Sequence, residues 1–357
     1  MPAGLFHENY RSDERIFQTW FVKAWLIAFL IACALFPLVA SKYMVSILTE
    51  AGIAIIACHG LNVLTGFTGQ ISLGHAAFLG VGAYTCTILI GQAGVPFIVA
   101  LPLSGVMAAL VGMIFGIPSL RLRGLYLAIA TIAAQFIIEF VIRRWDSLTG
   151  GVEGLFVDPG TIGPIQFDDH INLYYLTFIL AVAATFAVKN IVRARSGRAF
   201  VAIRDRYLAA EVIGVHVFKY RLMSFAVSSF FAGIAGALMA QYLQVITHES
   251  FTIHQSSDYR AMCIIGGLGH ILGGIYGVGF WFILERFLEV ATTSLNTAFP
   301  DHVTWFVSIR EIVFGCVIVL FLIFEPDGLA ARWRTIRAYW KLWPFSYLIC
   351  CIRSQDV

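Results

Sequence analysis

The chain has 357 residues, of which 59% are apolar and 13% charged, against about 45–50% and about 25% in a typical soluble domain. A water-facing surface needs Lys, Arg, Asp and Glu to cover it, so the charge deficit excludes an ordinary soluble protein, and the apolar fraction excludes a disordered one. The 24 basic and 21 acidic residues leave a net charge of +3, too little for an electrostatic nucleic-acid binder. None of the Cys form a C-x-x-C pair, which argues against a zinc ribbon. What remains is an all-α polytopic membrane protein.

A bilayer core of about 30 Å takes roughly 20 apolar residues per helix. Such windows predict spans over 20–40, 43–65, 75–92, 96–118, 124–142, 172–190, 222–245, 271–290 and 305–324. In the first, Ala32-Cys33-Ala34 mimics a signal-peptide cleavage site, but the apolar run starts late and continues past Pro37, so a first span is expected. A short apolar piece, Ala261–Ile265, precedes the Gly cluster at 266–269 and reads as half of a broken helix. Basic residues mark the cytoplasmic side. Lys189, Arg193, Arg195, Arg198, Arg204, Arg206, Lys219 and Arg221 crowd 189–221, whereas 145–171 holds Asp146, Glu153, Asp158, Asp168 and Asp169 and no Lys or Arg. Arg121 and Arg123, the tail residues Arg332, Arg334, Arg337 and Lys341, and the N-terminal Arg11, Arg15 and Lys23 all vote for inside. Both ends inside requires an even number of crossings, eight or ten. Cys350 and Cys351 are read as incidental thiols of the tail.

Two glycine-rich breaks interrupt the apolar pattern. The first runs from Gly60 to His75 and carries Asn62, Thr65, Gly66, Thr68, Gly69, Gln70, Ser72 and Gly74. The second runs from Gly266 to Gly274 with Gly267, Gly269 and His270. Both contain G-x-x-G-x-I-x-x-G, offset by 200 residues (Gly66 to Gly74, Gly266 to Gly274). Gly frees backbone groups for a polar ligand, and paired Gly-interrupted spans point to a transporter's substrate path. Small residues also let helices pack closely. Both readings stand for the two breaks, while packing is expected for Gly80, Gly82, Gly277 and Gly279. Thr131, Gln135 and Glu139 recur every four residues on one helix face, and an ion pair of Glu139 with Arg143 is expected. There is no G-x-S-x-G elbow, no P-loop and no defensible metal spacing, so the chain is not expected to be an enzyme, to bind ATP or to hold a metal.

Between spans lies Ser196–Val215. Phe200, Ile203, Tyr207 and Ala210 share one helical face, Arg198, Arg204, Asp205 and Glu211 take the rest, and Gly214 offers a stop. The helix is too short and charged to span. It either lies on the bilayer or docks a cytoplasmic partner.

Ala209-Ala210-x-x-x-Gly214 resembles the loop by which importer permeases dock onto ATPase subunits, although Leu208 stands where many of them have Glu. Six longer stretches, in order, resemble the M-type permease of branched-chain amino acid ABC importers: GLNVLTGFTGQISLGHAAFLGVGAY (60–84), RLRGLYLAIAT (121–131), WDSLTGGVEGL (145–155), SGRAFVAIRDRYLAAEVIGV (196–215), GGLGHILGGIYG (266–277) and EPDGLA (325–330). The resemblance covers about 45–330 and departs at Asp258 and Arg260, where apolar residues are commoner.

It implies a bacterial inner-membrane subunit that imports branched-chain amino acids, with urea, short amides or other amino acids as the alternative. A secondary transporter is disfavoured by the scarcity of mid-span acids. The implied partners are a second homologous permease, two cytoplasmic ATPase subunits that use ATP and Mg, and a periplasmic substrate-binding protein. Segment 1–19 would be cytoplasmic, 20–330 the permease domain with coupling loop 191–221, and 331–357 a cytoplasmic tail. Asn62, Thr65, Gly66, Gly69, Gln70, Ser72, Gly74, His75, Gly266, Gly267 and Gly269 would line the substrate path. Arg198, Phe200, Ile203, Arg204, Tyr207, Ala209, Ala210, Glu211 and Gly214 would form the coupling helix, with Phe200, Ile203 and Tyr207 as the knobs that touch the ATPase.

Overall fold

The structure is a computed structural model that describes residues 20–119, 124–162, 165–166, 170–298, 303–325 and 327–342. Segment 1–19, Arg121, Arg123, Asp168, Asp169 and the tail beyond 342, with Cys350 and Cys351, lie outside these residues. The helices are α1 (Trp20–Leu35), α2 (Lys42–Asn62), α3 (His75–Gly91), α4 (Phe97–Ser119), α5 (Leu125–Arg144) and α6 (His170–Arg193). They continue as α7 (Arg195–Val212), α8 (Val217–Leu243), α9 (Ile253–Gly266), α10 (Ile271–Ala298), α11 (Val303–Phe324) and α12 (Gly328–Leu342). Helices α2, α4, α5, α6, α8 and α10 are long and apolar enough to cross a membrane, and the stretches Lys23–Leu38 and His75–Gly91 are apolar but shorter. This is an all-α polytopic membrane protein.

Lipid is as apolar as Leu, so helices in a bilayer associate through close packing of small residues rather than by burying greasy ones. Helix α8 shows this. Gly233 lies against Gly82 of α3 and against Ser104 and Ala108 of α4, and Gly236 lies against the Leu79 carbonyl. Gly112 of α4 faces Ser229, and Gly60 of α2 faces Ser228 and Phe231. Ala232, Ala235, Ala237, Leu238 and Ala240 are fully buried, so α8 is the central post of the bundle. Packing thus explains Gly82, and Gly277 lies against Met262, but a Cβ on Gly279 would meet nothing within 4 Å among the described residues. No helix of this chain's described residues fulfils the expected packing role there. At the edge, α1 is held to α6 by Tyr174 and Tyr175, whose hydroxyls donate to the carbonyls of Cys33 (2.8 Å) and Ala34 (3.1 Å).

One end of the bundle is tied by a two-residue antiparallel pair, β1 (Leu155–Phe156) with β4 (Val245–Ile246), beside the hairpin β2 (Thr161–Ile162) and β3 (Ile165–Gln166). There Gln241 donates to the Asp158 carbonyl (3.2 Å) and accepts from Gly160 N–H (2.9 Å). The other end carries α7, α12 and both glycine breaks. Two expectations change. Helix α7 is not continuous: Arg206 takes φ −151° and ψ 88°, dividing it into two arms. No ion pair joins Glu139 to Arg143 among the described residues. The Glu139 face acts instead through Thr131 and Gln135.

Candidate substrate path and coupling site

The first break begins where α2 widens into a π-type turn over Val63–Phe67, a distortion common at functional sites. The second lies between α9 and α10. Although about 200 residues apart in sequence, they meet. Asn62 Nδ2 donates to the His270 carbonyl (2.7 Å) and Asn62 Oδ1 accepts from Gly269 N–H (2.9 Å). Gly66 sits directly on Gly269, so close that a Cβ would strike both Asn62 Oδ1 and Gly269 N. Gly269 has φ +76° and Gly69 φ +71°, conformations that favour glycine.

Arg204 lies over this junction. Its Nη1 donates to the Gly66 carbonyl (3.0 Å), its side chain packs on Gly69, and its Nη1 stands against Gly269. Its Nε pairs with exposed Asp205 at 3.0 Å. One residue of α7 thus touches both breaks. Gly267, at φ +108°, packs against Gly328 and the Asp327 carbonyl, so α12 rests on the second break, and Gly266 packs on Gly273 and Gly277. His270, on the loop between α9 and α10, has its pKa lowered by partial burial and then by Arg334, so the imidazole adds no charge to this basic end at neutral pH.

Above the junction the first break climbs to α3. Gln70 Nε2 donates to Ser224 Oγ (2.7 Å) and its N–H to the Leu64 carbonyl (3.1 Å). The Ser72 carbonyl accepts from Arg260 Nη2 (2.6 Å). Gly74 presses on the Thr131 carbonyl. His75 bonds through Nε2 to the Ala57 carbonyl (3.1 Å) and meets Tyr259 edge-on. The first turn of α3 has orphan N–H groups that cannot find water inside a bundle. Ser256 Oγ accepts from Ala76 N–H and Gln135 Oε1 from Ala77 N–H, both at 2.8 Å, and Thr131 Oγ1 accepts from Leu73 N–H at 2.9 Å. Three buried oxygens of the break, Thr65 Oγ1, Gln70 Oε1 and Ser72 Oγ, have no partner among the described residues. Asn62, Gly66, Gly69 and Gly269 therefore form one cluster. Gln70, Ser72, Gly74 and His75 form a second, nearer the middle of the bundle.

On α7 the knobs fall differently from expectation. Phe200 (0% exposed), Ile203 (3%) and Ala210 (2%) face this chain's own core, with Phe200 edge-on to Tyr220. Tyr207 is half-buried under the Arg221 guanidinium, 5.8 Å from its ring centre. Phe200 and Ile203 are therefore not available as ATPase contacts: the apolar stripe anchors the helix to the bundle. Leu208 (62% exposed), Val212 (87%) and Ile213 (75%) project outward instead, beside exposed Ala209, Glu211 and Gly214. Arg198, also exposed, donates to the Arg193 carbonyl. The second arm ends as a Schellman motif: Val215 N–H donates to the Ala210 carbonyl (2.9 Å) and Gly214 N–H to the Glu211 carbonyl (3.0 Å), with Gly214 at φ +90°. Sequence reasoning marked Arg260 only as a departure from the family pattern, without a partner, and missed Ser256 and the capping role of Thr131 and Gln135. The four-residue recurrence of those last two was the available signal.

Six apolar helices packed through small residues, two of them beside paired glycine breaks, define a multi-pass membrane protein. Residues 43–322 match the family described as branched-chain amino acid transport system, permease component. The high-affinity branched-chain amino acid permease protein LivM of Escherichia coli K12 is 31% identical over 87% of this chain and 76% of its own length. A probable LivM of Methanocaldococcus jannaschii is 24% identical over 65% of this chain and 67% of its own length. The autoinducer 2 import permease LsrC of Escherichia coli K12/DH10B is 22% identical over 66% and 69%. No solved structure matches the chain. The chain belongs to the family of branched-chain amino acid transport permeases.

Proposed function

We propose that the chain is the membrane-spanning subunit of an ATP-driven importer of branched-chain aliphatic amino acids in a bacterial inner membrane, with both termini cytoplasmic. The working assembly is this chain, a second homologous permease, two ATPase subunits and an external binding protein that delivers the ligand. The observation that carries the reading is the Arg204 Nη1 bond to the Gly66 carbonyl, because it links an exposed cytoplasmic segment to the point where both helix breaks meet. The family membership and the basic residues gathered on the α7 end support the same direction.

The chain supplies no energy of its own in this scheme. Closure of the ATPase subunits on ATP pushes the outer arm of α7, through Leu208, Val212 and Ile213. The break at Arg206 lets that arm swing while Phe200, Ile203 and Ala210 keep the inner arm seated. Arg204 lies next to the break and carries the displacement to Gly66, Gly69 and Gly269, where glycine backbone can change conformation at low cost. Ligand released by the binding protein passes along the first break between alternate openings. Purification of the tagged chain from its native membrane tests this: an ATPase and a second permease should accompany it, whereas a chain recovered without either is a self-sufficient transporter.

A further inference from the structure

The proposed function leaves Asp258 and Arg260 unassigned. Both belong to α9, whose inner face packs on α2: Cys58 Sγ reaches the Tyr259 carbonyl (3.7 Å) and Cys263 Sγ reaches the Cys58 carbonyl (3.5 Å). The outer face of α9 carries exposed His254 and Ser257 and half-buried Asp258 and Arg260. Hydrocarbon cannot solvate such groups, so this face borders water or protein. Arg260 forms no ion pair among the described residues. One of its donors, Nη2, goes to the Ser72 carbonyl at 2.6 Å. A guanidinium has five N–H donors in a fixed fork, suited to two oxygens of one carboxylate. On that same residue, Ser72 Oγ is buried and has no hydrogen-bond partner among the described residues. A cation with no counter-ion among the described residues thus bonds the backbone of a break residue whose own hydroxyl lacks a partner among them.

We propose that Arg260 and Ser72 form the point in the passage that binds the ligand's carboxylate, Arg260 through its remaining guanidinium donors and Ser72 through its hydroxyl. This rests on the reading of the chain as an amino acid importer and adds where the zwitterion is held. Arg260 binds its ligand directly and also holds the Ser72 carbonyl, so both roles are separated in the test.

In the whole complex, reconstituted with its ATPase subunits and binding protein, Arg260→Gln is expected to lower leucine imported per ATP hydrolysed about 10-fold or more, the factor that a charge-assisted hydrogen bond carries. Arg260→Lys should retain most of that import. Equal import per ATP by Arg260→Gln and the native chain would overturn the proposal. The second readout needs no transport: the thermal midpoint of the complex titrated with isovalerate and with isovaleramide, which share a carbon skeleton but not a charge. Isovalerate should raise the midpoint of the native and Arg260→Lys complexes but not of Arg260→Gln, and isovaleramide should raise none. An equal isovalerate response in Arg260→Gln, or equal responses of the native complex to both compounds, would refute the site. A native complex that imports no leucine would sink the assigned ligand alone, and the isovalerate comparison would still decide Arg260.

Discussion

Gly66→Ala asks whether the two breaks work as one unit. The new Cβ would land on Asn62 Oδ1 and Gly269 N and stand 3.0 Å from Gly269 Cα. Two of those atoms are backbone, and the third is committed to Gly269 N–H by a 2.9 Å bond, so none can move without opening the junction. Forcing a methyl into a packed site costs about 1–3 kcal/mol. Losing both Asn62 bonds adds about 1 kcal/mol each, for a total of about 3–5 kcal/mol. If the entropy of unfolding scales with chain length, that lowers the thermal midpoint by about 4–7 °C. Gly279→Ala is the control, since its Cβ would meet nothing within 4 Å among the described residues. The assay is the midpoint of both variants in the same detergent, with leucine uptake by the reconstituted complexes. Unchanged midpoint and uptake in Gly66→Ala would refute the idea of a closed junction.

Arg204→Gln should leave ATP hydrolysis by the assembled complex largely intact and lower leucine imported per ATP, with partial recovery in Arg204→Lys; uptake and hydrolysis measured on the same vesicles check it. Leu208→Asp combined with Val212→Asp should strip the ATPase during purification while the chain keeps its midpoint, because both side chains face outward. Phe200→Ala should instead cost about 3–5 kcal/mol of stability, the range for emptying a buried aromatic site, seen as a lowered midpoint next to an unaffected Leu208→Ala.

Much of the helical order is legible in the amino-acid sequence, because in a bilayer each span must satisfy its own backbone and so shows as an apolar run. The windows 75–92 and 96–118 fall within one residue of α3 and α4. Helix α9 is the exception. Only Ala261–Ile265 stood out, because Ser256, Asp258 and Arg260 interrupt the run; Ser256 caps α3 and Arg260 bonds the Ser72 carbonyl. The face of α7 was also visible, but not its use: an amphipathic stripe looks the same whether it seats a helix on its own bundle, as Phe200 and Ile203 do, or docks a partner. The meeting of Gly66 with Gly269 left no local signal, since a contact across about 200 residues depends on how α2 and α9 pack. The Glu139–Arg143 spacing did suggest a pair, yet one helical turn only permits the contact, and with Arg143 exposed to screening the pair gains little.

The most direct test of the account is ATP hydrolysis by the co-purified complex in lipid, with the binding protein empty or loaded with leucine. Stimulation by the leucine-loaded form is the predicted result if, as proposed, ligand delivery to this chain is relayed to an ATPase through α7 and Arg204. A complex that contains its ATPase but responds identically to empty and loaded binding protein would contradict the assignment of leucine-type amino acids and direct attention to urea or short amides as the cargo.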